Sequence, residues 1–374
     1  MSICSRSPLA LTAALVACAA HPPGGGGGGD DDDGPPPDVD AASPGEIDAA
    51  PQPTAPELGT GDHGPASVTL VTVLGSTDLA TPMDVEVDPM SGALWVINQG
   101  DDSWTVLLDG TVKRRFRDDS SHFFRRPSSL AFARNGERAL ATCQESTNGG
   151  DMFMGPVAWT SQMGPFEGGT ASHYDMLHES PNCMGIAWQR DHIWWVFNGT
   201  NGVIDKVNFH GWHPDTSTGL GGMDHSDGEY FRYASARVMR VAGVHSGMVV
   251  HDGWLYVADT GNRRIAKLDA ADRTGSLMDS RFDEVPMRSV PGQLENVVAA
   301  GTLDRPSGLV VRNGLLYVSD AGTGKLYAFD TAGTVVNWLD TGLGAGHVGG
   351  LGFTADGKLL FTDPTGHRLY RIDP

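Results

Sequence analysis

From Ser67 onward, short runs of alternating apolar and polar residues are separated by compact turns. A period of two is the signature of half-buried strands. Six segments repeat one form: a small or Pro-containing turn, a short strand, a tight turn, and a second strand ending in a polar-Gly turn. They begin at Thr81, Arg126, Asn182, Val244, Arg305 and His347, and successive starts lie 42 to 62 residues apart. The linking dipeptides SG, NG and DG favour hairpin turns between β-rich runs. Repeats of this length, each a small antiparallel sheet, predict an all-β fold: one six-bladed β-propeller of four-stranded blades. Outer strands are expected at Ser235–Gly243, Glu295–Gly301 and Thr334–Gly342. The run Ser67–Gly75 has the form of a strand but precedes the first repeat. It is therefore expected to supply the outer strand of blade six, which removes an exposed sheet edge. The propeller is expected to occupy residues 67–374.

The chain before Ser67 has a different character. Arg6 is followed by the apolar run LALTAALVA (Leu9–Ala17), too short to span a bilayer but suited to a secretory signal. Residues 18–66 are rich in Gly, Pro and Asp and cannot bury a core, so they read as a disordered tether. As a flexible coil its root-mean-square reach is roughly 35–40 Å. These residues hold ten acids and no Lys or Arg, out of 46 acids and 26 bases in the whole chain. Removing them and Arg6 leaves 36 acids and 25 bases, a net charge near −11 on the propeller. With no basic block, nucleic acid is excluded as a partner.

Three resemblances add to this reading. LVAC (Leu15–Cys18) resembles the lipobox of bacterial lipoproteins. That implies a signal peptide over 1–17, a lipid on Cys18 and, with Ala19 next, sorting to the outer membrane, with lipid as the only membrane contact. LYVADTGNRRIAKLD (Leu255–Asp269) and LYVSDAGTGKLYAFD (Leu316–Asp330) resemble the NHL repeat family. The blade count and the histidines near the axis are similar to those of NHL-like peptidylamidoglycolate lyase domains, which bind zinc. The gluconolactonase-like propellers use an axial calcium, but their acidic signature at the start of blade one is replaced here by Thr81–Met83.

Candidate chemistry lies at the blade entries. In a propeller the inner strand of each blade starts at one face, here the top, beside the central channel. His122, His178, His245 and His347 lead into blades two, three, four and six. His178 lies within HYDMLHESPNCMGIAW (His173–Trp188), the densest ligand-type stretch in the chain. His225, in DHSDG, belongs to a long insertion of blade three. Neutral imidazoles gathered at one mouth suit a divalent metal, zinc first, with copper or calcium as alternatives. Cys143 ends the second strand of blade two and Cys183 opens the inner strand of blade three, both at the top. A disulfide between them is expected in an oxidising compartment, with a Cys183–Met184 copper site as the alternative. Asn98, Asn198, Asp259, Asp320 and Asp363 recur in phase at the end of second strands and are expected to bond backbone in turns. The function expected is an envelope-anchored, monomeric propeller that binds a small molecule or a peptide at its top face without catalysis. The alternative is a metal-dependent lyase or hydrolase of small carbonyl or amide compounds.

Overall fold

The structure, a computed structural model, describes residues 54–118, 121, 123–147, 154–162, 173–212 and 226–374. Expectations for the signal, for Cys18 and for most of the tether lie outside these residues, as do those for His122 and His225. Among the described residues there is no α-helix. Six sheets form six blades. The inner strands are Pro82–Val87, Pro127–Phe132, Cys183–Arg190, Met248–His251, Pro306–Arg312 and Leu351–Phe353. Each is followed by antiparallel strands stepping outward, as the alternating pattern requires.

The hydrophobic core is divided among the six junctions between blades. Ile97, Trp104, Phe124 and Phe132 fill the first, between blades one and two, and Ile186, Trp194 and Tyr230 help fill the second. The remaining four junctions hold their own clusters, ending with Leu74, Val85 and Leu369 between blades six and one. Each fully buried side chain of this kind contributes about 1.5–3 kcal/mol. Trp95, Trp194 and Trp195 are buried, while Trp188 and Trp254 are half-buried, all as packing residues of blades.

Around the axis, every junction is also bridged by a hydrogen bond involving the start of an inner strand. Leu130 N donates to Asp84 Oδ2 (3.0 Å) and Ile186 N to Ser129 Oγ (3.2 Å). Ser246 N donates to Met184 O (3.0 Å), Gly247 N to Ser307 O (2.7 Å) and Gly350 N to Met83 O (3.0 Å). Ser319 Oγ donates to Gly349 O (2.5 Å) and closes the set. Such close approach requires small residues. A Cβ on Gly185 would lie 2.0 Å from Ser246 O, and one on Gly350 2.4 Å from Asp84 Oδ1.

Blade six is built from both ends of the chain. Thr69–Leu74 pairs antiparallel with Arg368–Asp373. Before it, residues 54–67 form a strap across blades five and six. Ala55 and Leu58 are buried in the junction, Tyr317 Oη donates to Glu57 Oε2 (2.7 Å), and His63 stacks on Trp338 at 4.6 Å. Asp340 N donates to His63 O (2.8 Å), so the strap caps part of the outer edge of blade five.

Blade three departs from the expected plan. Its outer strand is Glu229–Arg237 rather than Ser235–Gly243. Beyond it lies a hairpin, Ser276–Met278 and Met287–Ser289, supplied by the chain between the third and fourth strands of blade four. The alternation in SARVMRVAG marks a strand, but pairing with Val203–Asn208 fixes the register nine residues long and starting at Glu229.

Candidate functional site

Residues at the entries to blades one, four, five and six line a cavity of about 340 Å³ at the top mouth. Thr81, Met83, His245, Arg305, Ser307 and Val348 are among the residues that line it. Its volume falls within the range of small-molecule sites.

His245 is a buried polar group of this mouth, with 4% of its side chain exposed. It follows Val244 directly at the entry to blade four, just before Ser246 and Gly247, which bond Met184 and Ser307. Its Nδ1 lies 2.9 Å from Ser128 O. A carbonyl only accepts, so Nδ1 carries the proton and Nε2 presents a lone pair. Burial lowers the pKa to about 4, against a smaller raising effect of the Ser128 carbonyl, so the ring is neutral at pH 7. The nearest carboxylate atom to Nε2 is Asp84 Oδ1 at 3.7 Å, beyond hydrogen-bond reach.

Asp84 stands on blade one where the other five blade entries carry Ser129, Gly185, Gly247, Gly308 and Gly350. Burial raises its pKa to about 7, although Leu130 N, Val85 N and Ser129 Oγ all donate to it. Asp84 and His245 thus form a carboxyl and imidazole pair across the throat. The sequence contained a signal for Asp84: it is the one acid at a position otherwise held by Gly or Ser. The signal is visible only after the six entries are aligned on that position.

Two further groups on the cavity lack hydrogen-bond partners among the described residues. Ser307 is 1% exposed and its Oγ has none. The Arg305 guanidinium forms no hydrogen bond, and its nearest carboxylate oxygen is Asp304 Oδ2, 3.8 Å from Nε.

The other expected ligands are placed elsewhere. His347 stands at the entry to blade six, between cavity-lining Gly346 and Val348, with Nδ1 2.9 Å from Asp363 Oδ1. His178 is engaged at a different place. Its Nδ1 is 2.6 Å from Asp283 Oδ1, and its N–H bonds the same carboxylate, within the loop of the added hairpin. Residues 177–182 run from the outer strand of blade two, which ends at Met176, to the inner strand of blade three. His178 lies at the outer end of that run, so its ring meets the hairpin instead of the axis. Its neighbour Glu179 accepts from Arg281 N (2.5 Å), Phe282 N (2.6 Å) and Asp283 N (3.3 Å). His178, expected to share one metal with His245 and His347, is thus held against the added hairpin. Among the described residues no group of three or more His, Cys, Asp or Glu side chains is arranged to hold an ion.

Cys143 and Cys183 form a disulfide, with Cα atoms 5.1 Å apart, that joins blades two and three beside the mouth. The in-phase polar residues bond turns as expected. Asn98 accepts from Ala80 N, Asp259 from Met239 N, Asp320 from Arg305 N and Asp363 from Gly366 N.

No family model and no curated protein matches the chain. Among solved structures it is similar to an auxiliary nutrient binding protein from Bacteroides ovatus, at 16% identity and a TM-score of 0.53, over 82% of this chain and 76% of that one. It is similar to a streptogramin B lyase, at 13% identity and a TM-score of 0.50, over 82% and 97%. A calcium-binding regucalcin from Agrobacterium tumefaciens gives 13% identity and a TM-score of 0.50, over 80% and 92%. At these identities the likeness establishes the six-bladed β-propeller fold and nothing finer.

Proposed function

We propose that this propeller is a binding protein whose top mouth takes a small polar organic molecule, and that its NHL-like blades hold that mouth rigid. The observation that carries the reading is the neutral, buried His245, its Nδ1 tied to Ser128 O, at a cavity of about 340 Å³ where the inner strands begin. A buried imidazole with one nitrogen anchored and the other unbonded is preorganised to accept a hydrogen bond from a ligand. The same fold serves a nutrient binding protein of Bacteroides ovatus, so a binding role requires no change of architecture. The LVAC motif supports attachment to the outer membrane through lipid on Cys18.

The reading is tested by screening the full-length chain against a metabolite library by thermal shift, beside His245→Ala. At least one compound should stabilise the parent in a saturable way and lose that effect in the variant. If no compound distinguishes the two proteins, the mouth is not a binding site.

A second reading, a divalent cation with metal-dependent lyase or hydrolase chemistry, is favoured by the 3.7 Å approach of His245 Nε2 to Asp84 Oδ1. It stands second because a catalytic zinc site ordinarily has three protein ligands, and this pair supplies two. A bound zinc would polarise a carbonyl or acidify a water. Elemental analysis of the parent and of His245→Ala decides it: stoichiometric zinc, copper or calcium lost in the variant would replace the first reading.

A further inference from the structure

Blades two and five open with the same residues in the same register, Arg126-Pro127-Ser128 and Arg305-Pro306-Ser307. In blade two these groups are spent on structure. Arg126 Nη2 bonds Glu145 Oε2 at 3.0 Å, its Nε bonds Glu145 O at 3.2 Å, and Ser128 Oγ donates to Cys183 O. In blade five the equivalent groups are left open. The Arg305 guanidinium has only Asp304 at 3.8 Å, and Asp304 is shared with Arg263 at 3.3 Å. Ser307 Oγ is buried without a hydrogen-bond partner among the described residues. Both residues line the same cavity as His245, and Gly247, two residues beyond His245, bonds Ser307 O at 2.7 Å. Leaving a buried hydroxyl unbonded costs free energy unless something supplies the bond.

We infer that the ligand of the top mouth is a small hydroxycarboxylate, its carboxylate held by Arg305 and Ser307 and a hydroxyl donating to His245 Nε2. This rests on the binding reading above and adds the ligand class to it. The argument is one of complementary demands. A guanidinium presents five donors and no acceptor, in a fork that fits a carboxylate. The Ser307 hydroxyl donates to the same oxygen atoms. His245 Nε2 only accepts, so what meets it must carry a donor, and a hydroxyl is the smallest that does. Of the other charged groups near the mouth, Asp84 accepts from Val85 N, Ser129 Oγ and Leu130 N, Asp363 accepts from Gly366 N, and Asp320 accepts from Asp304 N and Arg305 N. Arg305 is thus the cation left for an anionic ligand, in a chain that is acidic overall.

The test is isothermal titration of the full-length chain at pH 7 with four hydroxy acids: lactate, malate, gluconate and galacturonate. Neutral counterparts are lactamide, gluconamide and galactose, and counterparts without the hydroxyl are propionate and succinate. At least one hydroxy acid should bind saturably, with its neutral counterpart weaker by at least about tenfold, the usual size of a charged hydrogen bond. Arg305→Gln should abolish that preference for the acid, Arg305→Lys should keep part of it, and His245→Ala should abolish the preference for the hydroxyl. The inference is overturned if none of the acids binds, if a neutral counterpart binds equally well, or if Arg305→Gln leaves the preference intact. A neutral compound whose binding is lost in His245→Ala but unchanged in Arg305→Gln overturns the carboxylate assignment and leaves the binding reading standing. If His245→Ala weakens no compound of either kind, both fall.

Discussion

Asp84→Asn isolates the electrostatics of the throat. Asp84 is held at about 7 against 3.8 for the free side chain, and His245 at about 4 against 6.5. The raised Asp84 value means that its contribution to stability is complete below pH 3.8 and is lost as the pH climbs through 7. The depressed His245 value acts the other way: its contribution is complete above pH 6.5 and is lost as the pH falls through 4. Between pH 4 and 6.5 the two slopes oppose each other. At about 1.36 kcal/mol per pH unit, the Asp84 contribution falls by about 2.6 kcal/mol from pH 5 to 8, and that of His245 rises by about 2 kcal/mol. Asparagine keeps one oxygen to accept from Leu130 N and Ser129 Oγ and loses only the bond from Val85 N, a pH-independent cost that leaves the variant able to fold. Relative to the parent, Asp84→Asn should gain about 2.6 kcal/mol over this range and His245→Gln should lose about 2 kcal/mol. The assay is urea unfolding at pH 5, 6, 7 and 8 with chelator present throughout, read as differences from the parent so that other titrating groups cancel. A constant offset between Asp84→Asn and the parent at all four pH values would refute the argument that burial controls this carboxyl.

Three other outcomes are expected. Cys143 and Cys183 are 40 residues apart, and a closed loop of that length is worth about 4 kcal/mol in the chain-entropy account; Cys143→Ala with Cys183→Ala should lower the urea midpoint accordingly, and the parent should resist thiol alkylation until it is unfolded. A chain starting at Thr54 should melt at the parent's temperature, whereas one starting at Gly75, which exposes the edge of Arg368–Asp373, should self-associate on size-exclusion chromatography. Cys18→Ala should abolish incorporation of radiolabelled palmitate in a bacterial host and release the protein from the membrane fraction; unchanged labelling would reject the lipobox assignment.

The blades were legible because each repeat carries its own evidence: a hairpin dipeptide, a period of two, and a polar residue such as Asp259 or Asp320 at the turn. The disulfide was legible once those repeats placed Cys143 and Cys183 at one end of adjacent sheets. What the repeats do not encode is where an insertion goes. Nothing in residues 272–294 announces that they add strands to blade three and not to blade four, so nothing announced that Asp283 would take His178. The site was legible by position and not by partner. His245 could be placed at the mouth, but whether Arg305 and Ser307 are satisfied depends on neighbours, since Arg126 and Ser128 have the same types and spacing and different bonds. Asp84 escaped because alternation marks it as an ordinary strand position, and only its enclosure by blade two gives it an unusual proton affinity.

The strand at Thr69–Leu74 and the one it pairs with lie at opposite ends of the propeller's sequence, some 290 residues apart. Its partner edge does not exist until residues 368–373 are made, so this segment stays unsatisfied while the intervening 290-odd residues are synthesised. Its long-range pairing makes annular assembly a late event with a high entropic threshold. Termination before Arg368 leaves this segment without its partner strand, and proteases and holdase chaperones can tell such a chain from the finished protein by its exposed rim.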